Sequence, residues 1–365
     1  MSTKILFLLH IPPPIHGSSI IGRIIKDSEL INEAFECKFI NLSTSSSTSK
    51  IGIFNLKKVV IYLDIIYQII SSRLFERYDI VYIAPSVSDW GFIKDFILVI
   101  IIKSLNRKVV YHLHNKGVSK QDNLLYKLMF KYFFRNVKII LLSELLFHDL
   151  IKYVDRKNVF ICPNGIEEVP LLEEELKKKN SNSIPNILFL SNLITSKGVF
   201  DVIEACAILK KKGIKFKVKF IGAEVEVSKS MFQFILSKYN LLDEIEYLGV
   251  KVGIDKHLQL LLADVFVFPT YYDKECFPLV ILEAMQYGLP IISTKEGGIP
   301  DLVKEEVNGL IVNRKSPNEI SSKLEVLLGD KEKMKRFSKQ SRNIFLNKYT
   351  KDIFEERLVK ILSLL

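Results

Sequence analysis

The chain has 365 residues, 48% of them hydrophobic and 25% charged, with a formal net charge of +11. That length exceeds one ordinary core and suits two domains, and the composition excludes a disordered or collagen-like chain. Four scattered cysteines (Cys37, Cys162, Cys206 and Cys276) have no paired spacing, which argues against a zinc ribbon or a disulfide framework and suits a reducing cytoplasm. Residues 1–167 hold 22 Lys and Arg against 14 Asp and Glu, whereas residues 168–365 hold 30 against 27. A basic first half points to an anionic partner: a phosphate-bearing ligand or an anionic membrane surface. No nucleic-acid-binding motif accompanies the charge, so nucleic acid is not expected.

In chain order, "KILFLLH" at 4–10 reads as a buried strand, too short for a signal peptide and closed by three prolines. The loop "IPPPIHGSS" and a helical pattern to about residue 34 come next. "FILVIII" at 96–102, flanked by Lys94, Asp95 and Lys103, falls short of the ~20 residues that span a bilayer and reads as a buried helix or strand. "DIVYIA", "KVVYHLH", "VKIILLS" and "NVFICP" read as further strands. Residues 124–140 interleave aromatics with Lys127, Lys131 and Arg135. That pattern fits equally an interfacial helix on anionic lipid and a core helix with a basic edge.

A polar, charged stretch at 169–185 reads as a linker between domains at 1–168 and 186–346. The second domain repeats the grammar of the first. "NILFLSNL" runs into the loop "ITSKG", and the helix "VFDVIEACAILKKKG" stops at Gly213. "FKVKFIG", "IEYLG", "DVFVFPT", "LPIIST" and "GLIVN" continue as strands. Strands alternating with helices predict two Rossmann-like, doubly wound parallel sheets facing across a cleft, with ligands at the carboxyl ends of the strands. A final helix within 347–365 is expected to pack back on the first domain.

The stretch "ECFPLVILEAMQYGLP" sets Glu275 just before a helix that Pro278 would open, and Glu283 inside it. Free helix N–H groups framed by two acids can hold a polyol carrying a phosphate. The spacing fits equally a capping acid and a surface glutamate. His112 and His114 share one face at a strand end, and His10, His148 and His257 read as structural.

The run "PTYYDKECFPLVILEAMQYGLPIISTKEGGIPDLV" resembles the E-x7-E region of family 4 glycosyltransferases, which have the GT-B fold. The resemblance implies that Glu283 binds the ribose hydroxyls of a nucleotide-sugar donor and Glu275 the transferred sugar. The backbone of Phe277, Pro278, Leu279 and Val280 would line the donor site. "SNLITSKGVFD" resembles the family's phosphate loop, with Lys197 neutralising the diphosphate, but Asn192 stands where many members carry arginine. "PPPIHGSSIIG" resembles the glycine loop that meets the diphosphate, with Gly17 following His16 in place of a second glycine. His114 matches the family's active-site histidine, and "CPNGI" at 162–166 resembles the segment that closes the first domain.

The resemblance further implies retaining, metal-independent transfer from a nucleoside-diphosphate sugar, a UDP-sugar being favoured, with no resident cofactor. The acceptor would be a glycan or lipid-linked glycan in cell-surface polysaccharide synthesis, at the cytoplasmic face of the membrane. A nucleotide-sugar epimerase on the same fold is one alternative. A non-catalytic sugar-nucleotide or membrane-binding protein is another.

Overall fold

The computed structural model describes residues 2–44, 56–75, 77–104, 108–169 and 184–365. The expected linker falls largely on 170–183, outside the described residues. Two compact units emerge: residues 1–165 with 351–365, and residues 166–350.

In the first unit the order is β1 (Lys4–Leu9), α1 (Gly17–Asp27), α2 (Glu29–Ala34), β2 (Glu36–Asn41), α3 (Leu56–Phe75) and β3 (Ile80–Ile83). Then come α4 (Asp89–Ser104), β4 (Lys108–Leu113), α5 (Leu124–Phe133), β5 (Lys138–Leu141) and β6 (Val159–Ile161). The six strands lie in the order β2-β1-β3-β4-β5-β6, all neighbours parallel. Helices cover both faces of such a sheet, so its central strands are continuous apolar runs, as in the buried Ile5–Leu9 and Ile80–Ile83. The helical pattern expected to residue 34 breaks at Ser28, whose hydroxyl caps α2 by accepting from Ile31 N at 3.2 Å. Strand β2 has no counterpart among the expected strands. It is an edge strand carrying Glu36 and Lys38, so its sequence lacks the apolar signature of its neighbours.

In the second unit the order is β7 (Asn186–Leu190), α6 (Val199–Lys211), β8 (Lys217–Ile221), α7 (Lys229–Lys238), β9 (Ile245–Tyr247) and α8 (Gly253–Leu262). It continues with β10 (Val265–Phe268), α9 (Leu279–Gln286), β11 (Ile291–Ser293), α10 (Ile299–Leu302), β12 (Gly309–Ile311), α11 (Pro317–Gly329) and α12 (Lys331–Lys348). The sheet order is β12-β11-β10-β7-β8-β9, again parallel throughout. Helix α13 (Lys351–Ser363) belongs to the first unit and packs on α2.

Each sheet has a topological switch point. The chain winds outward from β7 through β8 and β9, then returns to β10 on the other side of β7. Right-handed crossovers therefore place α6 and α9 on opposite faces, and their loops part at the carboxyl ends of β7 and β10. The same reversal lies between β1 and β3 in the first unit.

Candidate active site

In the second unit the switch point gathers the sequence-predicted residues from two loops. After β7, Thr195–Lys197 makes one tight turn, closed by Gly198 N donating to Thr195 O at 3.0 Å. Gly198 has φ +88, and a Cβ there would lie 2.7 Å from Pro269 Cγ and 2.8 Å from Pro269 O. Only glycine lets this loop close onto the end of β10. Tyr271 N then donates to Ser196 O at 2.7 Å, tying the two loops together.

Lys197 thus projects over the β10 loop, where its ammonium ion-pairs with Glu275 Oε2 and sits 4.4 Å from the Tyr272 ring centroid and 5.5 Å from that of Phe268. The lysine and glutamate side chains are only 15% and 11% accessible, so the pair is poorly screened by solvent. Glu275 is itself set by a turn, its N–H donating to Tyr272 O at 2.9 Å. From β11, the Ser293 hydroxyl donates to Phe268 O at 2.6 Å and the Thr294 hydroxyl to Thr270 O at 2.5 Å. Three strand ends therefore hold one loop.

Helix α9 begins at Leu279, with Pro278 as its N-cap at φ −68, one residue later than the sequence pattern placed it. Proline's fixed φ suits either position. Phe277 is buried, its ring packed edge-on against Tyr349 at 5.8 Å. Pro278 and Leu279 are buried and Val280 half-buried, so backbone amides and not large side chains remain to meet a ligand at this end. Glu283 lies one turn further, its Oε1 accepting from Lys256 Nζ of α8 at 2.9 Å. Asn192 is exposed, and its Oδ1 accepts from Ala223 N at 3.3 Å.

Sequence reasoning missed Lys256 and Tyr272. Lys256 meets Glu283 only through the fold, because the two lie 27 positions apart in sequence. Tyr272 had a local signal, two consecutive tyrosines just past a strand end, which went unused.

The first unit places its predicted residues at its own switch point. The loop after β1 carries His10 and His16 and runs into α1 at Gly17, while His112 lies near the end of β4 and His114 just past it. His16 caps α1, with its Nδ1 accepting from Ser19 N at 3.3 Å while Ser19 Oγ accepts from His16 N at 2.9 Å. This reciprocal capping box accounts for a histidine where the resemblance anticipates glycine. Gly17 is the exposed first residue of that helix. Ring centroids of His10 and His16 are 5.9 Å apart, and those of His112 and His114 are 4.4 Å apart. His112 is fully buried, 2.5 Å from the Tyr82 hydroxyl. Burial, with His10 and His16 nearby, pushes His114 down to about 3, and burial with Lys94 and His16 pushes His10 down to about 3. The cluster is therefore neutral at ordinary pH and offers hydrogen bonds, not charge.

This arrangement links stability to pH. Unfolded imidazoles take up protons near 6.5, whereas His10 and His114 resist until about 3. The folded state binds fewer protons in that interval, so stability present above pH 6.5 is lost progressively as pH falls toward 3. Urea midpoints measured across that range should fall with acidification, and fall less in a His10→Gln/His114→Gln variant. Equal slopes for both proteins would remove the histidines from this account.

Among the described residues there is no group of three or more His, Cys, Asp or Glu side chains placed to hold a metal ion, and no helix long and apolar enough to cross a membrane.

Residues 173–344 match the family "Glycosyl transferases group 1". The chain is 30% identical over 184 residues to the amylovoran biosynthesis glycosyltransferase AmsK of Erwinia amylovora, covering 48% of this chain and 44% of that one. It is 28% identical over 236 residues to the capsular polysaccharide biosynthesis glycosyltransferase CapM of Staphylococcus aureus, covering 60% of each. The chain thus spans about half the length of the curated relatives it matches. Among solved structures, sucrose-phosphate synthase from Thermosynechococcus elongatus superposes with a TM-score of 0.78 at 17% identity, covering 99% of this chain and 98% of that one. Anabaena Alr3699/HepE in complex with UDP superposes with a TM-score of 0.75 at 17% identity, covering both chains completely. These likenesses establish the two-sheet GT-B architecture. The second unit is thus similar to the group 1 glycosyltransferases, and the chain as a whole has the GT-B fold.

Proposed function

We propose that the protein is a retaining glycosyltransferase that moves a sugar from a nucleoside-diphosphate sugar, a UDP-sugar by preference, to a glycan or lipid-linked glycan acceptor in cell-surface polysaccharide synthesis. The observation that carries this reading is the Lys197–Glu275 pair at the β7 and β10 strand ends, with Glu283 a turn inside the following helix. A cation beside a sugar-directed carboxylate, with a ribose-directed carboxylate in the next helix, supplies one partner for each part of a donor whose diphosphate links hexose to nucleoside. The names of the polysaccharide glycosyltransferases among the relatives, and the UDP and UDP-glucose bound by Alr3699/HepE, support the same substrate class.

In this mechanism the anomeric C–O bond breaks and the diphosphate departs with the electron pair. The acceptor oxygen bonds to the anomeric carbon on the same face, and its proton passes to a phosphate oxygen. Lys197 stabilises the developing charge, so the reading needs no resident cofactor or metal. Asn192 adds a hydrogen-bonding amide but no second positive charge. In the first unit the reading keeps His114 and the Gly17 amide as sugar- and diphosphate-directed groups, with His114 acting as a neutral imidazole. The acceptor class implies a place at the cytoplasmic face of a membrane.

The test is binding and slow hydrolysis across UDP-, GDP-, ADP- and dTDP-sugars, with wild type and Glu283→Ala compared. One nucleotide class should be released selectively, and Glu283→Ala should raise its KM about 10- to 100-fold, as loss of hydrogen bonds to an ionised group does. Lys256→Met should raise KM more modestly, because the lysine orients Glu283. Release of every nucleotide alike, or a KM that Glu283→Ala leaves unchanged, would overturn the donor assignment.

A further inference from the structure

The first unit carries a broad apolar layer exposed to solvent. The connection from β1 to β2 runs one way across the sheet, and those from β2 to β3, β3 to β4 and β4 to β5 run the other. Right-handed crossovers therefore place α3, α4 and α5 together on the face opposite α1 and α2. The three helices are stitched into one layer. The Tyr62 hydroxyl of α3 donates to Lys94 O of α4 at 2.7 Å. The Phe92 ring of α4 meets Phe130 of α5 at 4.5 Å. Lys103 Nζ closes the end of α5 by donating to the carbonyls of Tyr132, Phe133 and Arg135 at 2.6–2.8 Å.

The inner side of this layer is buried, at Ile65, Ile69, Leu98 and Phe133 among others. Its outer side is also apolar. Of the 30 large hydrophobic side chains exposed among the described residues, 14 belong to these three helices. They include Val60, Leu63, Ile97, Ile100, Leu125 and Leu128. The run 96–102, read from sequence as buried, is thus apolar on both sides, and Ile97 and Ile100 face out at 44% and 42% exposure. The three helices carry six lysines, with Asp64 and Asp89 as their only exposed acids, since Asp95 is buried beside Lys94.

We propose that this α3–α4–α5 face rests on a bilayer surface bearing anionic headgroups. Contiguous exposed apolar surface of this extent marks an interaction site. Aliphatic side chains among lysines match an interfacial helix, whereas protein–protein interfaces are depleted in lysine and enriched in arginine and aromatics. None of the three helices is long and apolar enough to cross, so the layer lies on the membrane. The inference deepens the proposed function, because it rests on a lipid-linked acceptor for its purpose, but its observations come from this face alone. The pattern extends well beyond the segment at 124–140 that the sequence pointed to.

The chain supplies its own reporter. Trp90, its only tryptophan, lies in the first turn of α4 and is 78% exposed. With the full-length protein, phosphatidylcholine vesicles containing phosphatidylglycerol should shift Trp90 emission to the blue and carry the protein up in flotation. Pure phosphatidylcholine should do so weakly, and high salt should reverse the binding. Replacing Lys57, Lys58, Lys127 and Lys131 by alanine should lower partitioning about fivefold per lysine. Leu63→Asp/Ile100→Asp/Leu125→Asp should abolish flotation with an unchanged thermal midpoint. Donor hydrolysis should survive in every one of these variants, which separates failure here from failure of the transferase reading. Flotation of the triple variant equal to wild type would overturn the proposal. So would a dimer by light scattering that the triple variant dissolves while wild type ignores vesicles, because the face would then join two copies.

Discussion

Lys197→Met should lower kcat about 100- to 1,000-fold, the usual loss when one preorganised electrostatic donor is removed from a site of developing negative charge. The methionine keeps most of the apolar stem, so packing over Tyr272 and Phe268 is largely retained and the missing element is the charge. The same change also strands Glu275. Its carboxylate is 11% accessible and loses its only ion-pair partner among the described residues, which should cost roughly 1–3 kcal/mol, less than for a fully enclosed pair. Activity alone would therefore confuse a damaged fold with a damaged mechanism.

The double variant Lys197→Met/Glu275→Gln separates the two. A neutral amide in place of the carboxylate removes the stranded charge, so the denaturation midpoint should return most of the way to wild type. Turnover should stay at the level of Lys197→Met or lower. Recovery of stability without turnover identifies the lysine with leaving-group stabilisation. Full activity in Lys197→Met would eliminate that role, and a double variant as unstable as the single would show that the ion pair is not what Lys197 contributes to folding.

The sequence conveyed these groups unevenly, for physical reasons. Central strands were legible because parallel sheets bury both faces and leave apolar runs such as "VFVF" in β10. Edge strand β2 was not, since its outward positions carry charge. Lys197, Glu275 and Glu283 were legible through contiguous motifs, each a strand end running into a turn and a helix. What could not be read was which groups meet across the sheet. Lys256 reaches Glu283 from another helix, and His10 and His16 approach His114 only because β3 holds β1 and β4 two strands apart. The burial of "FILVIII" was misjudged because hydrophobicity alone does not distinguish a side chain facing the core from one facing outward, as Ile97 and Ile100 do.

Gly297→Ala should have the second large effect, because it moves the peptide that carries Glu275. Gly297 has φ +54, and a Cβ there would stand 2.3 Å from Glu275 O and 2.7 Å from Cys276 O. Both neighbours are backbone atoms and neither can rotate away. The adjacent Gly298 N donates to Cys276 O at 2.6 Å, so this turn fixes the Glu275–Cys276 segment from the β11 side. Alanine must push that segment back and draw Glu275 away from Lys197. A displacement of about 1 Å in a positioning group commonly costs about 100-fold in rate.

Left-handed strain accompanies the clash and has to be separated from it. Gly213, at the end of α6, supplies the comparison: φ is +74, and nothing lies within 4 Å of an added Cβ. Gly213→Ala should therefore lose only the strain, about 1–2 kcal/mol, with kcat unchanged. Gly297→Ala should lose more stability than that, and its kcat should fall by about two orders of magnitude at temperatures where both variants remain folded. If Gly297→Ala matches Gly213→Ala in both stability and turnover, the segment yields to the methyl group at no functional cost, and the turn at 297–298 is not what positions Glu275.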